Sequence, residues 1–371
     1  MKVDEFLVER WMNTYETDVE LNLAETCVKP FTLREYLEFV NRPDFFKEYQ
    51  DTQLTYGHIE GYDELRRGLA KLYKNVNHED ILITGGAIEA NFNSFYSLIE
   101  PGDTVVSVFP TYQQLFSVPK GFMADVKLLR LRPEMNWLPD LDELTELVDR
   151  KTKMIVLNNP NNPCGSLINE HTLRAICEIA EDVGAYVHSD EAYRGLYINP
   201  DDHTPSIVDI YEKGIAVGTF SKPISLTGLR LGWITSNSEV IHQCKLRRDY
   251  TTISKSMLSE ELAALAMPYL SHIFERNNWI IRENHKLLDN WINNEPYISW
   301  VKPIAGSVGF MKHDLDVTAE KICLDLIHEK DTFLVPGDCF EYPDHIRIGY
   351  GGDKNVLKAG LDRISEYLSD K

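Results

Sequence analysis

Five short, almost wholly apolar runs, separated by segments of helical pattern, set the tightest limit on what this chain can fold into. They are residues 80–84 (DILIT), 104–109 (TVVSVF), 154–157 (MIVL), 185–188 (AYVH) and 215–220 (IAVGTF), with helical patterns such as 89–99 and 170–183 between them. A strand that is apolar on both faces must be covered on both faces, and strand–helix alternation supplies that cover in a parallel sheet. The expectation is therefore an α/β fold: a three-layer αβα large domain with a mainly parallel sheet. In such sheets ligands sit where the strands end and the chain turns into loops. The residues with chemical potential in this sequence fall just after the apolar runs.

Beyond residue 258 the pattern changes. A long helical stretch over 259–291 precedes short strand candidates at 300–301, 309–312 and 345–350, and a closing helix at 354–369. This reads as a smaller α+β domain. The expected division is 46–258 for the large domain, and 1–45 with 259–371 for a discontinuous small one. The 371 residues suffice for both.

Composition narrows the function. Thirty-eight basic against 58 acidic residues give a formal net charge of −20, a field that repels nucleic-acid backbones and anionic membranes. Residues 1–11 carry Asp4, Glu5 and Glu9 and no long apolar run, so they do not read as a secretory signal. No stretch approaches the roughly 20 apolar residues that span a bilayer. The six cysteines are far apart and form no C-x-x-C, which reads as reduced thiols in a cytoplasmic protein, and the histidines form no metal-binding cluster.

The chemistry-bearing residues begin with Lys222, at the end of an apolar run in Thr219-Phe220-Ser221-Lys222. Burying an ammonium costs desolvation energy and lowers the pKa, which suits a lysine that attacks a carbonyl. Eight residues on, Arg230 stands between Gly228 and Gly232, where a guanidinium can grip a phosphate, with Thr219 and Ser221 adding hydroxyls. Alone, these residues describe a surface lysine and an unrelated arginine equally well. Asp190 and Tyr193 follow the fourth run; a carboxylate there can keep a pyridine nitrogen protonated, but an Asp-Glu pair at a solvated strand end fits as well. The loop Asn158-Asn159-Pro160-Asn161-Asn162-Pro163-Cys164-Gly165 has a fixed irregular shape, either a plain turn or a ligand-facing edge. Gly85-Gly86-Ala87 carries the first run into a helix whose backbone N–H groups can hold an anion. Tyr112 and Tyr56 can stack or donate, or simply pack. Arg347 alternates with apolar residues on a strand and can clamp a carboxylate or pair on the surface.

Taken in order and spacing, the N-P-x-x-x-G-like loop, D-E-x-Y and S-K-x7-R resemble the class I/II aminotransferases, the fold-type I family that uses pyridoxal 5′-phosphate (PLP). The resemblance runs from about Tyr56 to the C-terminus. It implies that Lys222 carries PLP as a Schiff base and then shuttles a proton, and that Asp190 partners the ring nitrogen. Tyr193 and Asn162 would bond the phenolate oxygen, and Tyr112 would stack on the ring. The phosphate would lie on the backbone of Gly86 and Ala87 with Thr219, Ser221 and Arg230. Tyr56 would reach it from a second subunit, which implies a homodimer. Arg347, with Asn162, would hold the substrate carboxylate.

The chain departs from the family's pattern at Ile88, where many relatives have serine, at Cys164 in place of threonine, and at Pro223 directly after the lysine. Its N-terminal segment lacks the usual G-x-P-D and is similar to that of capreomycidine synthase-like members. The expected reaction is transfer of an amino group between an amino acid and a 2-oxo acid. The alternatives are a lyase or cyclase on an arginine-derived substrate using the same Cα carbanion, or a PLP-sensing regulator. A regulator would carry a DNA-binding domain ahead of this region.

Overall fold

The computed structural model describes residues 3–369. At its centre is a 7-stranded sheet. Its strands are β1 (Ile81–Thr84), β2 (Thr104–Phe109), β3 (Asp125–Arg130), β4 (Thr152–Asn158), β5 (Tyr186–Asp190), β6 (Gly214–Thr219) and β7 (Gly232–Thr235). The order across the sheet is β1-β7-β6-β5-β4-β2-β3. Neighbours are parallel from β6 through β3, and β7 runs antiparallel between β1 and β6. The result is the mainly parallel α/β sheet expected.

Strand side chains divide by their two-residue period into two cores. Val106, Val108, Ile155, Leu157 and Ala216 meet Leu173, Ile176 and Ala180 of one helix (Glu170–Val183). Val105, Met154, Val156, Ile215 and Val217 meet Ala90, Phe95 and Leu98 of a second helix (Ala87–Leu98), and Val240 and Cys244 of a third (Ser238–Arg248). Alternation of this kind, with helices on both faces, defines the three layers. The helix at 170–183 has local stop signals at both ends. Asn169 accepts from the Thr172 N–H at 2.9 Å, and Gly184 closes it at φ 74°.

Two strands of this sheet lie outside the five apolar runs. β3 is an edge strand, half exposed and interrupted by Asp125, Lys127 and Arg130, so it lacks an apolar run. β7 is buried but only four residues long, and its first residue, Gly232, belongs equally to the glycine-flanked segment around Arg230.

A 4-stranded antiparallel sheet occupies the C-terminal part, built from β8 (Ile298–Trp300), β9 (Val308–His313), β10 (Val335–Pro336) and β11 (His345–Gly349). The helix Lys354–Ser369 closes the chain as expected. The single long helix expected over 259–291 is instead two, Met257–Ala266 and Leu270–Ile292, joined by a 3-10 turn at Met267–Tyr269. Pro268 lies in that turn; it has no N–H to donate and its ring clashes with the preceding turn. The N-terminal segment crosses to the C-terminal part, where Leu21–Asn22 pairs with Thr332–Phe333.

Candidate active site

Parallel strands deliver their C-terminal ends to one edge, and the register fixes what meets there. Asn158 of β4 lies opposite Asp190 of β5, and Asp190 opposite Val217 of β6. Thr219, Ser221 and Lys222 therefore emerge beside Asp190. The first-turn residues Gly86 and Ala87, together with Tyr112, Asn162, Tyr193, Arg230 and Arg347, join them around a cavity of about 420 Å³. Tyr56 does not line it and is 70% exposed.

The floor is Asp190. Its carboxylate is buried and accepts from Asn91 Nδ2 at 2.8 Å and from the Ala192 N–H at 3.0 Å. Burial raises its pKa, and these two donors with the charge of Lys222 oppose the rise. Among the described residues no cation comes within ion-pair distance of it. Asn91 was not foreseen. It stands one turn into the helix that Gly86 opens, and a lone helical asparagine carries no local signal.

Lys222 Nζ donates to Thr26 Oγ1 at 2.5 Å, contacts Cys27 Sγ at 3.2 Å and lies 3.8 Å from Glu25 Oε1. The expected fall in its pKa is reversed. Burial does disfavour the ammonium, but Cys27, Tyr193 and Glu25 outweigh it and hold the pKa above the ordinary lysine value. Glu25, whose pKa Lys222 and its own bonds to Cys27 lower against burial, is the carboxylate nearest the ammonium. A sequence argument from burial alone had no access to this residue.

Gly86 sits at φ 87°, in the left-handed region that favours glycine. A Cβ on Gly232 would lie 2.5 Å from the Gly86 carbonyl carbon and 2.6 Å from the Ala87 nitrogen, so the turn packs directly on β7. Arg230 reaches over it. Its side chain donates to the Thr227 carbonyl at 3.3 Å and has no carboxylate partner among the described residues. Thr219 Oγ1 accepts from the Ser221 N–H at 3.1 Å, which shapes the bend leading to Lys222.

Arg347, also on the cavity wall, is 3% exposed. It donates to Asn162 Oδ1 at 3.3 Å and to the Ala24 carbonyl at 3.2 Å, while its Nε has no partner. Burial lowers its pKa. Asn162 is held by its own loop, its N–H donating to Asn158 Oδ1 at 2.7 Å.

The N-terminal helix Leu7–Tyr15 closes the remaining side. Trp11 Nε1 donates to the Leu334 carbonyl at 2.8 Å, and Tyr112 donates to Glu9 Oε1 at 2.7 Å. Val8, Glu9 and Met12, then Glu16, Glu25 and Thr26, line the cavity from this segment.

The family model described as "Aminotransferase class I and II" matches residues 32–364. The chain belongs to the class I and II aminotransferases. It is similar to an aspartate aminotransferase of Pyrococcus horikoshii, 29% identical over 83% of this chain and 81% of that one. It is also similar to capreomycidine synthase of Streptomyces vinaceus, 26% identical over 97% and 93% of the two chains. A crystal structure of a PLP-dependent aminotransferase from Streptococcus suis 89-1591 superposes with a TM-score of 0.97 at 40% identity, covering 100% of this chain and 99% of that one.

This aminotransferase uses PLP, and its cavity fits that cofactor. A buried carboxylate without a cation, Asp190, faces the same space as a guanidinium without an anion, Arg230. A flat ring cationic at one end and anionic at the other satisfies both. The Gly86–Gly232 contact leaves no side chain to block the anionic end.

Proposed function

We propose that this PLP-dependent aminotransferase moves an amino group from an amino acid to a 2-oxo acid with Lys222 as its proton-transfer residue. The observation that carries the reading is the convergence of Lys222, Asp190 and Arg347 on one cavity at the strand ends. When bound, PLP supplies an electron sink for the bond broken at the donor's Cα. Asp190 holds the ring nitrogen protonated, and Asn91 fixes that carboxylate. Tyr193 and Asn162 would hold the phenolate oxygen and Tyr112 would flank the ring, since all three line the cavity. Gly86, Ala87, Thr219, Ser221 and Arg230 hold the phosphate. Arg347, supported by Asn162, takes the donor carboxylate. Lys222 Nζ, facing the same cavity, would carry the proton taken from the donor's Cα.

We place the enzyme in the cytoplasm, which suits its free cysteines, and assign it a homodimer in which Tyr56 reaches the partner's phosphate. Leu54, Tyr56, Ile59, Tyr250 and Ile253 support the dimer. They are exposed apolar residues on two adjoining loops, linked where Ser254 donates to the Tyr56 carbonyl at 2.7 Å. The proposed division is 46–258 for the large domain and 1–45 with 259–371 for the small; the Leu21–Asn22 ladder to Thr332–Phe333 supports it.

A second reading, cyclisation or elimination through the same carbanion, is favoured by one observation. The likeness to capreomycidine synthase extends through the N-terminal segment, with 97% of this chain covered. An amino-donor screen that follows cofactor absorbance separates the two. Transamination predicts conversion of the cofactor to its amine form by donor alone. Retention of the carbonyl form with release of ammonia or a ring-closed product would refute it.

A further inference from the structure

The charged groups facing the cavity do not balance once the roles proposed above are filled. The cations are Lys222, Arg230 and Arg347; the anions are Asp190, Glu9, Glu16 and Glu25. Lys222 is engaged with the cofactor, Arg230 with the phosphate and Arg347 with the donor carboxylate. Asp190 is answered by the ring nitrogen. Glu9, Glu16 and Glu25 are left, with no further cation of this chain on the cavity wall among the described residues.

These carboxylates stand on the side of the cavity formed by the N-terminal segment. Glu9 and Glu16 are seven positions apart, two helical turns, and so fall on one helix face with Met12 between them. The helix's cation, Arg10, turns away and pairs with Glu5 at 3.0 Å. The Glu16 side chain has no hydrogen bond or ion pair among the described residues, and Glu9 has only the Tyr112 hydroxyl. Burial and repulsion from Glu25 and Glu9 raise the pKa of Glu16. An inward helix face ordinarily carries apolar residues, yet Glu9 and Glu16 stand there with no ion-pair partner among the described residues, while Glu25 lies 3.8 Å from Lys222. The second, independent pointer to a ligand is Arg347, buried, aimed into the same cavity, and with an unpartnered Nε. It fixes the carboxylate end of the donor beside the N-terminal segment, where it donates to the Ala24 carbonyl at 3.2 Å.

We propose that the amino donor carries a positively charged side chain, an amine or guanidinium, and that Glu9, Glu16 and Glu25 select it. This rests on the aminotransferase site roles given above. It sets the chain apart from an enzyme for aspartate, whose second carboxylate would meet three like charges.

The test uses the purified holoenzyme and pairs of ligands matched in shape but not in charge. Arginine is compared with citrulline and lysine with norleucine, with aspartate as the anionic arm; dissociation constants are read from the change in cofactor absorbance. The charged member of at least one pair binds about tenfold or more tightly than its neutral match, the effect of one charge-assisted hydrogen bond. Glu16→Gln and Glu9→Gln each bring that ratio toward one, while retained cofactor absorbance shows that the variants are folded. Equal binding within both pairs, ratios unmoved by either substitution, or tightest binding by aspartate overturns the proposal. Tight binding of a cationic ligand without conversion to the amine form upholds the charge selection and refutes transamination. Conversion by aspartate with weak cationic binding does the reverse.

Discussion

Replacing Arg347 with methionine separates a residue kept for the ligand from one kept for the fold. In the free protein the guanidinium is 3% exposed, makes two hydrogen bonds of 3.2 and 3.3 Å, and has an idle Nε and no ion-pair partner among the described residues. Losing two long hydrogen bonds costs about 2 kcal/mol, while removing a desolvated, uncompensated charge returns several kcal/mol. Methionine fills most of the volume. Arg347→Met should therefore leave stability unchanged or raise it, with a shift in thermal midpoint of about 0 to +4 °C. Activity should move the other way. Two charge-assisted hydrogen bonds to a donor carboxylate are worth about 3–6 kcal/mol, so kcat/KM should fall by about 10²- to 10⁴-fold. The checks are thermal denaturation of the cofactor-free protein and kcat/KM with the best amino donor. A midpoint lowered by 5 °C or more, or kcat/KM within tenfold of the parent, would refute the reasoning.

The other expectations follow from the same site. Lys222→Ala loses the absorbance band of the lysine-bound cofactor and turnover together, by spectroscopy and steady-state assay. Asn91→Leu removes the 2.8 Å bond to Asp190 and should lower kcat by about 10- to 100-fold with the fold intact, as judged by far-ultraviolet circular dichroism. His188 lies beneath the site on β5, with neither ring nitrogen bonded, and burial lowers its pKa from 6.5 to about 3. The unfolded chain takes up the proton first as pH falls through that window. Stability is therefore full above about pH 6.5 and declines below it, by about 2 kcal/mol at pH 5. His188→Leu should flatten that decline in denaturant titrations at pH 5 and pH 7.5; an unchanged difference between the two would show that other groups cause it.

That most of the candidate residues gather around one cavity was legible because parallel strands convert chain order into spatial order. Residues that follow strand ends share one edge of the sheet, so Gly86, Tyr112, Asn162, Asp190 and Lys222 could be grouped from the apolar runs and the family spacing alone. Asn91 was not legible: an asparagine one turn into a helix has many uses, and its partner is 99 positions away. Pro268 is a local helix breaker, and the helix breaks there.

What the sequence determined by itself was the sheet, its alternating faces and the place where ligands must bind, since two-residue periodicity and strand-end loops are local properties. Only the tertiary structure decided what surrounds Lys222. Thr26 lies 196 positions from it in the chain yet takes its hydrogen bond, and Cys27, Tyr193 and Glu25 together reverse the direction of its pKa. β7 enters antiparallel between β1 and β6, and the N-terminal helix brings Glu9 and Glu16 to the cavity. None of this has a local signature. These contacts arise when distant segments bury their apolar faces together, and a polar residue's neighbours are then set by which faces meet.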